Sequence, residues 1–468
     1  MTRRDLEATG PIIFHDETRP LPRVDTVDAD PGAREKDLSA SNKAALSDGL
    51  ALSISGAVGS LAGFASWLIA ARIMPQASVG YASAFVSAFL LVAGVAQLNL
   101  DSSMMLWMPK SGKKAPTLYW RSHAVIIPAC GVVALLYVAL IPSIAHDGTY
   151  DGGPTALGIA LFTAAAIGWG LWGVHDFSLI AVGRPWWAPY RNIAFAVVRI
   201  GLLVALGASL GSFGIVLSWV IPIAIWGVLS AGLGGWATRR FARNAHDEWL
   251  PQRPEVVKFL GPTTVGHWGT VLLFNQVTVM VTERFGPVPG AAFFIAWQAV
   301  MVIDIAAQRF MQSLSAQLAR DPEHAEDHVR SSRRRLFLLF TPVVLVGIAL
   351  ADFGLQIFGP GYAEASNVLR VLLIGALPRL LIAHELGRRQ AAGDGMGFAR
   401  LQLVSTLLVI AVVVFVPITA AATGGTFPVA ALMPVAIGYT VTQAVCAVAV
   451  VVLEVRRRAG LRRTEVAA

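Results

Sequence analysis

The sequence predicts an all-α polytopic membrane protein with twelve transmembrane helices. Three observations lead there. Of the 468 residues, 55% are hydrophobic and only 14% are charged, with a mean hydropathy of +0.62. A soluble domain carries about 25% charged residues, so the composition excludes a soluble enzyme, and with it a disulfide scaffold and a disordered chain. Apolar runs long enough to cross a bilayer recur along the sequence. The cations between those runs alternate from loop to loop.

The first 43 residues hold seven Lys/Arg and nine Asp/Glu, several prolines and no apolar run, which reads as a disordered cytoplasmic tail. No apolar stretch follows its basic start closely enough for a secretory signal. Twelve runs then follow, near 44–70, 78–100, 122–143, 155–180, 190–209, 213–236, 258–283, 290–317, 336–357, 365–387, 401–421 and 428–454. Each meets the requirement of about 20 residues for a helical span. The organisation expected is a tail over 1–43, a six-helix lobe over 44–243, a cytoplasmic linker over 244–257, a second lobe over 258–455 and a basic tail over 456–468.

Of the 37 Lys/Arg, 31 fall in the two tails and in alternate loops. Arg72 and Arg284 flank the opposite side, and Arg199, Arg309, Arg370 and Arg379 lie within runs. This asymmetry puts both termini in the cytoplasm, and one missed span would invert every later loop. The net charge of +8 therefore reports orientation and gives no reason to expect nucleic acid. Arginine outnumbers lysine 31 to 6 beside abundant Ala, Gly and Val, a bias that suggests a GC-rich bacterial genome and hence a bacterial inner membrane.

Three matches suggest a duplication. Arg121 precedes Pro128 by seven residues, as Arg335 precedes Pro342. Arg72 leads through a proline-containing loop to Gly80, and Arg284 likewise to Gly290. Gly183-Arg184 ends the fourth run and Gly387-Arg388 the tenth. Parallel repeats of this kind are a transporter feature, with the substrate site between lobes near mid-membrane. Cys130 and Cys446 sit mid-run as small apolar helix residues, and no spacing suggests a metal or a cofactor. Gly207-Ala208-Ser209-Leu210-Gly211 matches a hydrolase elbow, but no strand precedes it.

AARIMPQASVGYASAF (70–85), VGRPWWAPYRNIAFAVVRIGLL (182–203) and FGPGYAEASNVL (358–369) resemble segments of bacterial polysaccharide flippases. These form an O-antigen-type branch of the multidrug/oligosaccharidyl-lipid/polysaccharide exporter superfamily. With the twelve-span plan, the likeness covers about 44–455. The resemblance implies two six-helix bundles around a cavity, working by alternating access. It also implies that a polyprenyl-diphosphate-linked oligosaccharide moves from the inner to the outer leaflet for surface polysaccharide synthesis, and that the chain is a transporter, not an enzyme. The partners expected are that lipid-linked glycan, membrane lipids and, through the N-terminal tail, polysaccharide-biosynthesis machinery.

Such a cargo carries an anionic diphosphate and a polar glycan, and charge at the bilayer centre is costly. Arginine suits phosphate through its planar fork of donors. Arg199, Arg309 and Arg379 are therefore the expected diphosphate contacts; Arg72, Arg284 and Arg370, nearer the outer face, are expected anchors. Asp304, Gln308 and Gln312 share one face of the eighth span with Ser315. His267 and Asn275 belong to a polar, threonine-rich seventh span, and Asn192 lies seven residues before Arg199. These six are the expected cavity lining. His175-Asp176 in the fourth span is a candidate gate or coupling pair, near Trp169 and Trp172. His384-Glu385 in the tenth span reads as local pairing with Arg389.

Two other readings compete. A cation-coupled drug exporter would use a buried acid in the first or seventh span, where only Asp48 and Glu283 stand, at the ends. A membrane polymerase or ligase would need large outer loops, and the longest here, 144–154, has eleven residues.

Overall fold

The computed structural model describes residues 56, 59–145, 155–320, 324–418, 421 and 427–467. For 262, 312, 313, 315–320, 325, 326 and 457–467 it describes the backbone alone. The expected N-terminal tail lies outside the described residues.

The first half runs α1 (Gly59–Ile73), α2 (Gln76–Ala96), α3 (Leu100–Ser111), α4 (Ala115–Leu140), α5 (Ala156–Ala181), α6 (Trp187–Leu210) and α7 (Ser212–Arg243). In the second half, α8 (Arg253–Val271), a π-helical turn (Leu272–Gln276) and α9 (Val277–Phe285) form one rod. Then come α10 (Pro287–Arg320), α11 (Ala325–Ala349), α12 (Ala351–Gln356), α13 (Pro360–Ala363), α14 (Ser366–Ala391), α15 (Gly395–Phe415) and α16 (Met433–Ala467). Among the described residues, nine helices are long and apolar enough to cross a membrane: α2, α4, α5, α6, α7, α10, α14, α15 and α16. The rod α8–α9, α11 and the shorter α1 complete the twelve positions. Their hydropathy is diluted where polar residues enter, as with Arg330–Arg335 in α11.

Two features differ from the sequence expectation. The stretch 101–121, expected as a loop, begins with the twelve-residue helix α3. Leu98 and Asn99 adopt left-handed backbone (φ 54° and 56°), which breaks α2 and redirects the chain into α3. The other is α16, whose backbone helix continues through the basic tail to Ala467. Elsewhere the breaks have local causes. Gly211 alone forms the turn from α6 to α7 at φ 54°, a conformation that costs a residue with a Cβ. Thr155 caps α5 by accepting from Gly158 N (3.0 Å), and Asp394 caps α15 from Gly397 N (2.8 Å).

The halves repeat the same packing. In the first, α5 packs on α2, α4 and α7; in the second, α14 packs on α10, α11 and α16. A pair of buried polar contacts marks the correspondence. His123 meets His175, and Ser332 meets His384, each across 52 positions. The lobes join along α2, which packs on α10 and on the α8–α9 rod. Gly80 is obligatory there, since a Cβ would sit 1.9 Å from Pro287 O. Further ties run from Trp268 Nε1 to Val95 O (3.0 Å), Tyr137 OH to Gln276 Oε1 (2.8 Å) and Arg72 Nε to Ile357 O (2.6 Å). The linker is pinned to the first lobe by Lys113 N donating to Asp247 O (2.9 Å) and by a Lys114–Glu248 ion pair (3.3 Å). Outward faces carry exposed Val132, Leu135, Leu136 and Leu140 on α4, the apolar exterior a bilayer requires.

Candidate functional site

A cavity of about 730 Å³ lies where the two halves meet. The first half contributes α1, α2, α5, α6 and α7 to its wall, and the second α10, α11, α12 and α14. The first-half wall is aromatic. Trp169 and Trp172, one turn apart on α5, stack at 5.4 Å. Phe195 of α6 meets Trp172 edge-on at 4.9 Å, and Trp219 of α7 closes the group at 5.9 Å from Trp169 and 6.1 Å from Phe195. The second-half wall is mostly aliphatic, with Ile295, Val302, Val343 and Leu373 beside Phe294, Phe358 and Gln298.

Arg199 is the only ionisable side chain among the described residues of this wall. It is 4% exposed, its guanidinium lies 3.7 Å over the Trp219 ring, and its buried Nε has no hydrogen-bond partner. Among the described residues no carboxylate pairs with it. The indole face supplies part of the electrostatic stabilisation that lost water would have given, and the guanidinium keeps donors for an anion. Asn192, two turns earlier on α6, shares the wall.

One turn before Phe195, toward the N-terminal end of α6, stands a cation whose place beside the arginine-rich loop suggests no site role. Arg191 is in the first turns of α6, is 6% exposed and stacks 3.7 Å over Trp172. Its Nη2 donates to Asp176 Oδ2 (2.6 Å). The signal was present: Arg191, Phe195, Arg199 and Leu203 recur every fourth residue, and all four are buried on one face of α6. Asp176 thus serves as the partner of Arg191. Its neighbour His175 is fully buried, with its Nε2 3.0 Å from that of His123. His123 Nδ1 lies 2.9 Å from Tyr119 O, which can only accept, so that nitrogen carries a proton. In the neutral pair His175 Nε2 then donates to His123, and His175 Nδ1 is left as a buried lone pair without a partner.

Arg379 is placed differently. It is 1% exposed in the core of the second lobe. Its Nε donates to Asp304 Oδ1 (2.9 Å) and its Nη2 to Asp304 Oδ2 (3.1 Å) and Gln402 Oε1 (3.2 Å). Neither Arg379 nor Asp304 lines the cavity. The two expectations, a free cation and a cavity acid, resolve into one bidentate ion pair whose charges cancel. Gln308 Nε2 donates to the same Asp304 (2.8 Å) and stands with it. Arg309 is exposed and outside the cavity wall. The side chain of Gln312 lies outside the described residues.

The polar stripe of the seventh span also faces away from the cavity. Thr263, Thr270 and Asn275 turn back to carbonyls three or four residues earlier, the usual way a helix in lipid absorbs short polar side chains. Thr264 donates to Leu98 O (2.8 Å), and His267 meets Gln97 at 3.3 Å. These are ties between α8 and the turn that follows α2. The Asn275 bond sits in the π-helical turn, where the helical ladder is widened.

The remaining span cations hold chain ends. Arg284 donates to the Val413 and Val416 carbonyls at the end of α15. Arg370 pairs with Asp352 and Asn367. Glu385 pairs with both Arg388 and Arg389, at 2.7 and 2.8 Å, as its spacing suggested.

No family model and no curated relative matches the chain. Solved structures do. An inward-facing multidrug resistance MATE family transporter of the MOP superfamily superposes with a TM-score of 0.61 at 16% identity, covering 89% of this chain and 99% of that one. The outward-facing conformation of a MATE family transporter gives 0.56 at 15% identity, over 90% and 97%. A MOP superfamily transporter from Pyrococcus furiosus, described as having a binding pocket of reverse polarity, gives 0.55 at 15% identity, over 90% and 96%. At these identities the likeness establishes the two-lobe fold.

Proposed function

We propose that this chain is a transporter of the bacterial inner membrane, with both termini cytoplasmic, that moves a polyprenyl-diphosphate-linked oligosaccharide outward by alternating access. The observation that carries the reading is the polarity of the cavity: one buried arginine, no described carboxylate, and an aromatic wall. A site for cationic drugs needs a buried acid to offset its ligand's charge. A site for a diphosphate needs a cation whose donors are free, and Arg199 supplies it. The flat faces of Trp169, Trp172 and Trp219 suit the apolar faces of sugar rings, and the mostly aliphatic second-lobe wall suits the start of a prenyl chain. Solved relatives of the fold in inward- and outward-facing conformations support rocking of two lobes around such a cavity.

Arg199 is assigned the diphosphate contact, and Asn192, on the same wall, a contact to the sugar-phosphate junction. Arg379 is assigned to holding the second lobe together. The His123–His175 pair, buried between α4 and α5, is the candidate place for a coupling proton. Replacement of Arg199 by Ala in the native host tests the function. Surface polysaccharide should fall while the protein stays in the membrane at its normal level, and sensitivity to cationic drugs should not change. Normal polysaccharide with raised drug sensitivity would overturn the reading.

A further inference from the structure

At the arginine-rich end of the first lobe, away from the cavity and sharing no wall residue with it, three adjoining hollows of about 460, 410 and 370 Å³ surround the last turns of α7. Arg239 lines two of them and Arg240 lines two. Arg184, from the α5–α6 turn, and Arg121, from α4, line one each. No described carboxylate lines any of the three. Arg240 and Arg243 complement the C-terminal dipole of α7; Arg121, Arg184 and Arg239 go beyond that need.

The arrangement is built around two half-exposed tryptophans. Arg184 lies 4.6 Å and Arg240 5.7 Å from the Trp236 ring centre, so one indole holds two like charges near each other. Trp120 packs close against α7 because Gly235 has no Cβ; one would meet its ring at 2.9 Å. Gly232, one turn toward the membrane interior, borders the largest hollow and has open space where its Cβ would be. Cations held together without a carboxylate are stabilised by an anion between them. The hollow beside Gly232, empty where a Cβ would be, is room for an acyl chain.

We infer that this cluster is a lateral docking site for the phosphate headgroup of an anionic phospholipid of the cytoplasmic leaflet, with an acyl chain laid against α7 at Gly232. The inference rests on the membrane reading alone and is independent of the cargo assigned to the cavity. Arg239 and Arg240 contact the phosphate, and Trp120 and Trp236 set the depth of the interface.

The test is native mass spectrometry of the purified full chain with added phosphatidylglycerol or phosphatidylcholine of matched acyl chains. The wild type should retain phosphatidylglycerol preferentially. Combined Arg184→Gln, Arg239→Gln and Arg240→Gln should lower that retention by at least about tenfold, since each basic residue near an anionic lipid is worth roughly a factor of five. A charge-matched variant carrying Arg330→Gln, Arg334→Gln and Arg400→Gln, all exposed, should keep it. Gly232→Trp, which fills the hollow without changing charge, should also lower it and serves if the triple variant does not fold. Equal losses in the triple and control variants would overturn the inference, as would full retention in the Gly232→Trp protein. Displacement of the lipid by equimolar inorganic phosphate would also overturn it, in favour of a soluble-anion site.

Discussion

Arg199 and Arg379 are the same residue type, each almost fully buried in a helix of one lobe, and their surroundings are opposite. Arg379 faces a carboxylate held on a neighbouring helix and becomes half of a neutral bidentate pair. Arg199 faces an indole and an open cavity. The difference teaches that burial alone does not leave an arginine available to a ligand; the absence of a fixed counter-charge does. The His-acid pairs repeat the lesson. His175-Asp176 and His384-Glu385 occupy equivalent places, but the first lobe offers His123 and a buried Arg191, while the second offers Ser332 and two arginines on the same helix.

The largest effect expected from this contrast is in the second lobe. Asp304→Ala leaves the Arg379 guanidinium buried and unpaired, which costs about 3–5 kcal/mol. A thermal-unfolding assay on detergent-purified protein should show a severe loss, and the double variant Asp304→Leu/Arg379→Met should recover most of it. If Asp304→Ala unfolds like the wild type, the two arginines do not differ as described. Next comes Arg199→Ala. It should leave the unfolding temperature near the wild-type value, because no pair is broken. Transport should fall roughly 10- to 100-fold, the worth of a charge-assisted contact of about 1.5–3 kcal/mol; a stability loss as large as that of Asp304→Ala would erase the contrast. Arg199→Lys sharpens it, since a point charge keeps the attraction and loses the fork, and intermediate transport is expected. The smallest effect is for Trp219→Leu. Removing the ring under Arg199 should weaken cargo binding several-fold, in line with about 0.5–2 kcal/mol for a cation–π contact, and a titration of the cargo lipid would read it.

Much of the fold was legible because the signals are local. Span length, cation placement and turn residues are written within windows of about 20 residues, and the ion pair of Glu385 with Arg388 and Arg389 follows from helical spacing. The helix α3 was not legible, since its break depends on left-handed backbone at Leu98 and Asn99, residue types that do not advertise it. The site was half legible. Arg199 and Asn192, seven residues apart on α6, stand on the cavity wall. The fate of Arg379 was decided by Asp304, 75 positions away, and no window contains both. In the seventh span Thr263, Thr270 and Asn275 bond carbonyls of their own helix and His267 meets Gln97, so polar spacing alone does not mark a cavity wall. Arg191 was hidden by its nearness to the arginine-rich loop, though its register with Arg199 marked it.

Arg199, the one ionisable side chain among the described residues of the wall, is proposed to make the cavity select an anion. Intrinsic tryptophan fluorescence reads this directly, because Trp219 lies under Arg199 and Trp169 and Trp172 share the wall. Purified wild-type protein should bind a polyprenyl diphosphate more tightly than the uncharged polyprenol of the same length, and Arg199→Ala should bind the two alike. Undiminished preference for the diphosphate in Arg199→Ala would contradict the account.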